Sequence, residues 1–144
     1  MREILFRGKG VLDSKWKYGD LIKSEEKFYI HPQRNLVEVN KFIGNKIVMY
    51  EVLPEIVGQY TGLLDKNGNK IFEGDIIKDI KDNGELLVVE GDTLLGFDFR
   101  YIDGEDNAYT TAYDIGLSDD YTYLMSAVVV GNIHDNPELL EAGK

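Results

Sequence analysis

The chain has 144 residues, no cysteine and a formal net charge of −10 at pH 7. That length suits one domain or two very small ones, and it buries a core without covalent staples. The missing cysteines exclude disulfides, zinc–thiolate and iron–sulfur sites and thiol nucleophiles, and no apolar run approaches the roughly 20 residues of a membrane helix.

In chain order, short apolar or alternating runs broken by Gly, Asn and Asp predict strands. They fall at Glu3–Arg7, Trp16–Lys23, Phe28–Ile30, Leu36–Val39, Lys46–Leu53, Lys70–Phe72, Asp75–Ile80, Glu85–Glu90, Leu94–Arg100, Ala108–Tyr113, Tyr121–Leu124 and Ala127–Ile133. Nine Tyr and six Phe suit pleated surfaces. Asn67-Gly68 and Asn83-Gly84 are the strongest turn signals, because Asn-Gly tolerates the positive φ of primed hairpin turns. One helix is predicted at the carboxyl end. Asn136 is its N-cap, Pro137 its first residue, Glu138 a match for the dipole and Gly143 a stop, with Leu139 and Leu140 docking on a sheet. A second short helical stretch is predicted within Gly116–Asp120. The fold class expected is mainly β: a small SH3-like barrel or sandwich built of hairpins, with a short C-terminal helix. It is read as a single domain over 1–144, with two small β subdomains at about 1–53 and 54–144 as the alternative.

The clearest turn-and-strand signal is the run Gln59-Tyr-Thr-Gly-Leu-Leu-Asp-Lys-Asn-Gly-Asn-Lys-Ile-Phe-Glu-Gly-Asp-Ile-Ile77. It closely resembles the signature of the YopX family of temperate-phage and prophage proteins. Met1-Arg-Glu-Ile-Leu-Phe-Arg-Gly-Lys9, Trp16-Lys-Tyr-Gly-Asp-Leu-Ile22, Pro54-Glu-Ile-Val-Gly58 and Val128-Val-Val-Gly-Asn-Ile-His-Asp-Asn-Pro-Glu-Leu-Leu-Glu141 are similar to other parts of that family, so the likeness brackets the chain. The resemblance implies an accessory protein of phage or prophage in the host cytoplasm, from a family without an established biochemical role. No apolar leader follows Met1, which fits a cytosolic setting.

Read residue by residue, the sequence offers little chemistry. Asp65-Lys-Asn-Gly-Asn69 invites a calcium loop, but Lys70 and Ile76 stand where the EF-hand needs Gly and Glu. A loop begun at Asp79 places Asn83, Gly84 and Glu90 in register, yet Lys81 occupies a ligand position, and a β-hairpin explains it better. Gly8-Lys9-Gly10 lacks the spacing of a phosphate-binding loop. His31 precedes Pro32 at a turn and His134 lies between strand and helix, so structural roles are favoured for both over catalysis. The carboxylate pairs Glu73 with Asp75 and Asp103 with Asp106 arise by chance in a chain of 26 acidic residues; Glu73 is expected to close a turn. Trp16 is expected in a core. Trp16–Lys23 and Ile71–Lys78 share an aromatic, Gly-Asp, aliphatic pair and Lys, which is read as a common route into a strand rather than a repeat. No catalytic residue, cofactor or metal site is assigned.

Charge supplies the remaining signal. Residues 101–143 hold Asp103, Glu105, Asp106, Asp114, Asp119, Asp120, Asp135, Glu138 and Glu141 and no Lys or Arg, which disfavours direct nucleic-acid binding there. A solvated surface is the bland account. The sharper one makes Asp103, Glu105, Asp106, Asp114, Asp119 and Asp120 a partner-binding acidic face, joined by Tyr101, Tyr109, Tyr113, Tyr121 and Tyr123 as packing or contact residues. The expected protein is non-enzymatic, acts by self-assembly as a homo-oligomer and by contact with a basic host or phage protein, and engages no membrane. The alternatives are a small-molecule or nucleotide binder, or an acidic mimic that inhibits a nucleic-acid-binding host protein.

Overall fold

The computed structural model describes residues 3–32, 49–81, 84–93, 96–102 and 108–142. The chain divides into two compact units, Met1–Tyr60 and Thr61–Lys144. Its strands form two antiparallel sheets.

In the first unit, β1 (Phe6–Lys9), β2 (Trp16–Ser24), β3 (Lys27–His31), β4 (Tyr50–Val52) and the start of β5 (Gly58–Leu64) pair in the order β4-β3-β2-β1-β5. β4 and the residue after it also bond the end of β1 and the chain that follows: Leu53 N–H donates to Lys9 O at 3.0 Å and Val11 N–H to Glu51 O at 2.9 Å. Ile30 and Val52 are its buried apolar centre. Gly19 is required where β2 bends: a Cβ there would stand 2.1 Å from the His31 carbonyl oxygen.

In the second unit, β6 (Lys70–Phe72) follows β5. A five-stranded sheet is built from β7 (Asp75–Asp79), β8 (Glu85–Thr93), β9 (Gly96–Tyr101), β10 (Tyr109–Thr110) and β11 (Ala127–Asn132), in the order β10-β9-β8-β7-β11. Successive strand residues point to opposite faces, and both faces are apolar. Ile77, Leu87, Val89, Phe99 and Ala127 pack with Ile71, Ile115 and Leu124. Ile76, Val88 and Ile102 pack with Ile133, Leu139 and Leu140, the latter two from the short helix α1 (Glu138–Ala142). Each fully buried Ile or Leu contributes about 1.5–3 kcal/mol, so this doubly covered sheet holds the main core. The docking of Leu139 and Leu140 is as the sequence implied.

The mainly-β class and the carboxyl-terminal helix agree with the sequence reading. Among the described residues the strands make two antiparallel sheets, and an SH3-like barrel is not confirmed. Two expectations need correction. The 3-10 turn lies at Tyr113–Ile115 rather than within Gly116–Asp120. Trp16 is not a core residue: it is half-buried on β2, with the Arg7 guanidinium carbon 4.5 Å and Lys9 Nζ 5.4 Å from its ring centroid. The predicted strand Leu36–Val39, the first residues of Lys46–Leu53 and of Leu94–Arg100, and the turn residues Asp82 and Asn83 lie outside the described residues.

Candidate functional site

The signature run reads, side chain by side chain, as a clamp. Thr61 Oγ1 donates to Ile71 O at 2.8 Å and accepts Leu63 N–H at 3.1 Å. Asp65 is fully buried, and its carboxylate accepts four hydrogen bonds. Oδ1 takes Asn67 N–H at 2.9 Å and Asn69 N–H at 2.8 Å; Oδ2 takes Asn69 Nδ2 at 3.1 Å and, from 64 residues away, Val129 N–H at 2.9 Å. Burial pushes this carboxyl up, but the bonds from Val129, Asn69 and Asn67 outweigh it and hold its pKa below the ordinary carboxylate value. Asn67-Gly68 does not form a two-residue primed turn. Gly68 alone has positive φ, 85°, and its N–H donates to Asp65 O at 3.0 Å, the geometry of a type I turn closed by a glycine bulge.

The far edge of β11 is closed by this clamp. Val129 N–H meets Asp65, Ala127 O accepts Lys66 N–H at 2.9 Å, and Asn132 N–H donates to Asn136 Oδ1 at 3.2 Å. An open edge is a template for another strand, and these side chains occupy it. Asn136 therefore serves β11 with its side chain, while its carbonyl accepts Leu139 N–H at 3.0 Å at the start of α1. The turn before β7 is fixed by Asp75, which accepts Phe72 N–H at 2.7 Å, and by Gly74 at φ 93°. Gly19, by contrast, lies inside β2, so the two Gly-Asp segments have different conformations. Asp79 is buried and accepts Lys81 N–H at 2.9 Å, which opens a local turn.

Asp114, Asp119 and Asp120 are exposed; Asp103, Glu105 and Asp106 lie outside the described residues. Asp114 accepts Thr110 Oγ1–H at 3.0 Å, and its backbone carbonyl accepts Lys81 Nζ. Asp120 accepts Ser118 Oγ–H at 2.6 Å and Thr122 N–H at 3.2 Å, and the Ser118 bond holds its carboxyl below the ordinary value. These bonds shape a tight turn. Ser118 N–H donates to Tyr123 O at 2.8 Å, Ser118 Oγ accepts Tyr123 N–H at 2.9 Å, and Tyr121 is held at φ 60° with 66% of its surface exposed. A bulky residue in the left-handed region is strained, and here the strain points an aromatic ring at solvent beside Asp119 and Asp120. The tyrosines divide: Tyr101 packs on the core, Tyr109 and Tyr121 are exposed, Tyr123 is half-buried, and the Tyr113 side chain is outside the described residues. Tyr109 Oη donates to Glu90 at 3.0 Å beside Arg100, whose Nε is 3.2 Å from the same oxygen.

His31 ends β3 with Nδ1 4.0 Å from Asp20 Oδ2, and the His134 backbone N–H donates to Asn132 Oδ1 at 3.0 Å. Among the described residues no three His, Asp or Glu side chains gather as metal ligands, and no helix is long and apolar enough to cross a membrane. One charge feature emerges only with the unit boundary. Residues 1–60 carry ten basic and eight acidic side chains, and residues 61–144 carry six and eighteen, giving +2 and −12.

A crystal structure of protein EF1440 from Enterococcus faecalis is similar at 20% identity, covering 97% of this chain and 99% of that one with a TM-score of 0.49. Comparison with curated proteins finds no match. The profile of the family described as YopX protein matches residues 5–141, nearly the whole length, and the chain belongs to the YopX family.

Proposed function

We propose that this protein acts without catalysis, as a phage or prophage accessory protein in the host cytoplasm, by self-assembly and by contact with a basic protein partner. The observation that supports this is the Ser118–Tyr123 turn, where a strained, exposed Tyr121 stands beside exposed Asp119 and Asp120 on a braced backbone. Rigid aromatics supply contact area at low entropic cost, and carboxylates around them select cations and speed encounter. The −12 charge of residues 61–144 extends the same attraction. Contact through the closed edge of β11 is disfavoured, so self-assembly is assigned to surfaces other than that edge.

The test is affinity purification of the tagged protein from lysogenic or infected cells, beside an Asp119→Lys variant. Asp119 is chosen because Asp120 braces the turn. Loss of the co-purifying basic protein in the variant supports the reading. An unchanged set of partners would overturn it.

A further inference from the structure

Asn67 and Gly68 form the exposed tip of the β5–β6 hairpin. Gly68 has φ 85° and no atom within 4 Å of where a Cβ would stand. An asparagine followed by glycine sets an amide electrophile, Asn67 Cγ, beside a backbone nitrogen whose own residue carries no side chain. We propose that Asn67 is a self-modification site, and that its conversion to isoaspartate releases the Asp65 clamp on β11.

The chemistry needs only base and water. Base takes the proton from Gly68 N, and that nitrogen attacks Asn67 Cγ. The new N–C bond forms as the bond to the side-chain nitrogen breaks, and ammonia leaves a five-membered succinimide. Water then opens the ring at either carbonyl. One opening gives aspartate; the other gives isoaspartate, in which the main chain runs through the former side chain. The native turn restrains the first step, because Gly68 N–H is bonded to Asp65 O at 3.0 Å and Asn67 N–H to Asp65 Oδ1 at 2.9 Å. Reaction therefore proceeds from local openings, which exposed hairpin tips reach at low free energy.

The consequence follows from the loop's size. Isoaspartate adds one methylene to the main chain inside the loop from Asp65 to Asn69, whose ends are joined by Asp65 N–H to Asn69 O at 2.8 Å. Asp65 Oδ1 cannot then take both Asn67 N–H and Asn69 N–H at their present spacing. A new carboxylate also enters the loop beside the buried one, and like charges oppose each other. Both effects loosen Asp65, and Val129 N–H loses its acceptor.

The experiment ages the full-length protein in mildly alkaline buffer, folded and in urea, with Asn83→Gln in every sample to remove the chain's second Asn-Gly pair. Peptide mass mapping, isoaspartyl methyltransferase labelling and thermal melting are followed. The expected result is conversion at Asn67 in the folded protein, several-fold slower than in urea, with isoaspartate detected and a lowered midpoint in the converted fraction. Asp65→Asn should convert several-fold faster than wild type. Asn67→Gln, which would need a six-membered ring, should keep its midpoint. The proposal is overturned if Asn67 stays unmodified in the folded protein while the urea sample converts. It is equally overturned if conversion leaves the midpoint unchanged, or if aged Asn67→Gln falls as far as wild type.

Discussion

Replacing Asp65 by Asn changes one oxygen to an amide nitrogen and leaves volume almost untouched, so its effect isolates the clamp. An Asn here can satisfy only two of the four donors that the carboxylate now takes. With its oxygen kept on Asn67 and Asn69, the new amide faces Val129 N–H and Asn69 Nδ2, donor against donor. Stranding a buried N–H costs about 1–3 kcal/mol and losing the second bond about 1 kcal/mol. The charge-assisted character of all four bonds is lost as well. We expect destabilisation of about 2–4 kcal/mol, which for a unit of this size lowers the melting midpoint on the order of 10–20 °C. The pH dependence must change too. A carboxyl held below its unfolded value, about 4, contributes stability that is present above that value and lost as pH falls through the folded one. Urea unfolding of wild type and Asp65→Asn between neutral pH and pH about 3 reads both effects. The difference should be full at neutral pH and shrink toward the acid end. A loss under about 0.5 kcal/mol, well below the cost of one stranded N–H, or a gap that widens on acidification, would refute the reasoning.

Three further outcomes follow. Gly19→Ala puts a methyl 2.1 Å from the His31 carbonyl oxygen, so β2 and β3 must separate; we expect a loss of about 3 kcal/mol or more in urea titration, and a loss under about 1 kcal/mol would contradict the geometry. Tyr121→Gly relieves a φ of 60°, and we expect stability unchanged or raised by up to about 1 kcal/mol despite the lost side chain, measured by thermal melting. Leu139→Ala removes part of the cover over Ile76, Val88 and Ile102; we expect about 1–2 kcal/mol of destabilisation, below the range for a fully buried leucine, and faster hydrogen exchange in α1.

Local chemistry was legible in the sequence. Alternation located β2, β3, β7 and β8, and Asn136-Pro137 marked the start of α1 within two residues. The position of the β5–β6 turn was equally plain, but its type was not. Asn-Gly fits both a primed turn and a glycine bulge, and the choice was made by Asp65, whose carboxylate pulls Asn67 and Asn69 N–H inward. The role of Asp65 itself depends on Val129, a contact that no local pattern announces. Trp16 misled because an aromatic in an alternating run reads as core, whereas its half-buried ring carries the cations of buried Arg7 and of Lys9 from the neighbouring strand. Barrel closure is not legible for a similar reason, since strand alternation is the same in open and closed sheets. The acidic third was visible as composition, but its shape was not. The strained Tyr121 and the bracing Ser118 gave no sequence signal beyond ordinary turn residues.

The central claim is that the signature builds the fold while the Ser118–Tyr123 turn makes the contacts. Sedimentation of the double variant Asp119→Lys, Tyr121→Gly against wild type, in the presence and absence of the co-purified basic partner, tests it most directly. The variant should keep or exceed the wild-type urea midpoint and show at least a tenfold loss of partner binding, about 1.4 kcal/mol. Undiminished binding by a folded variant would contradict the claim.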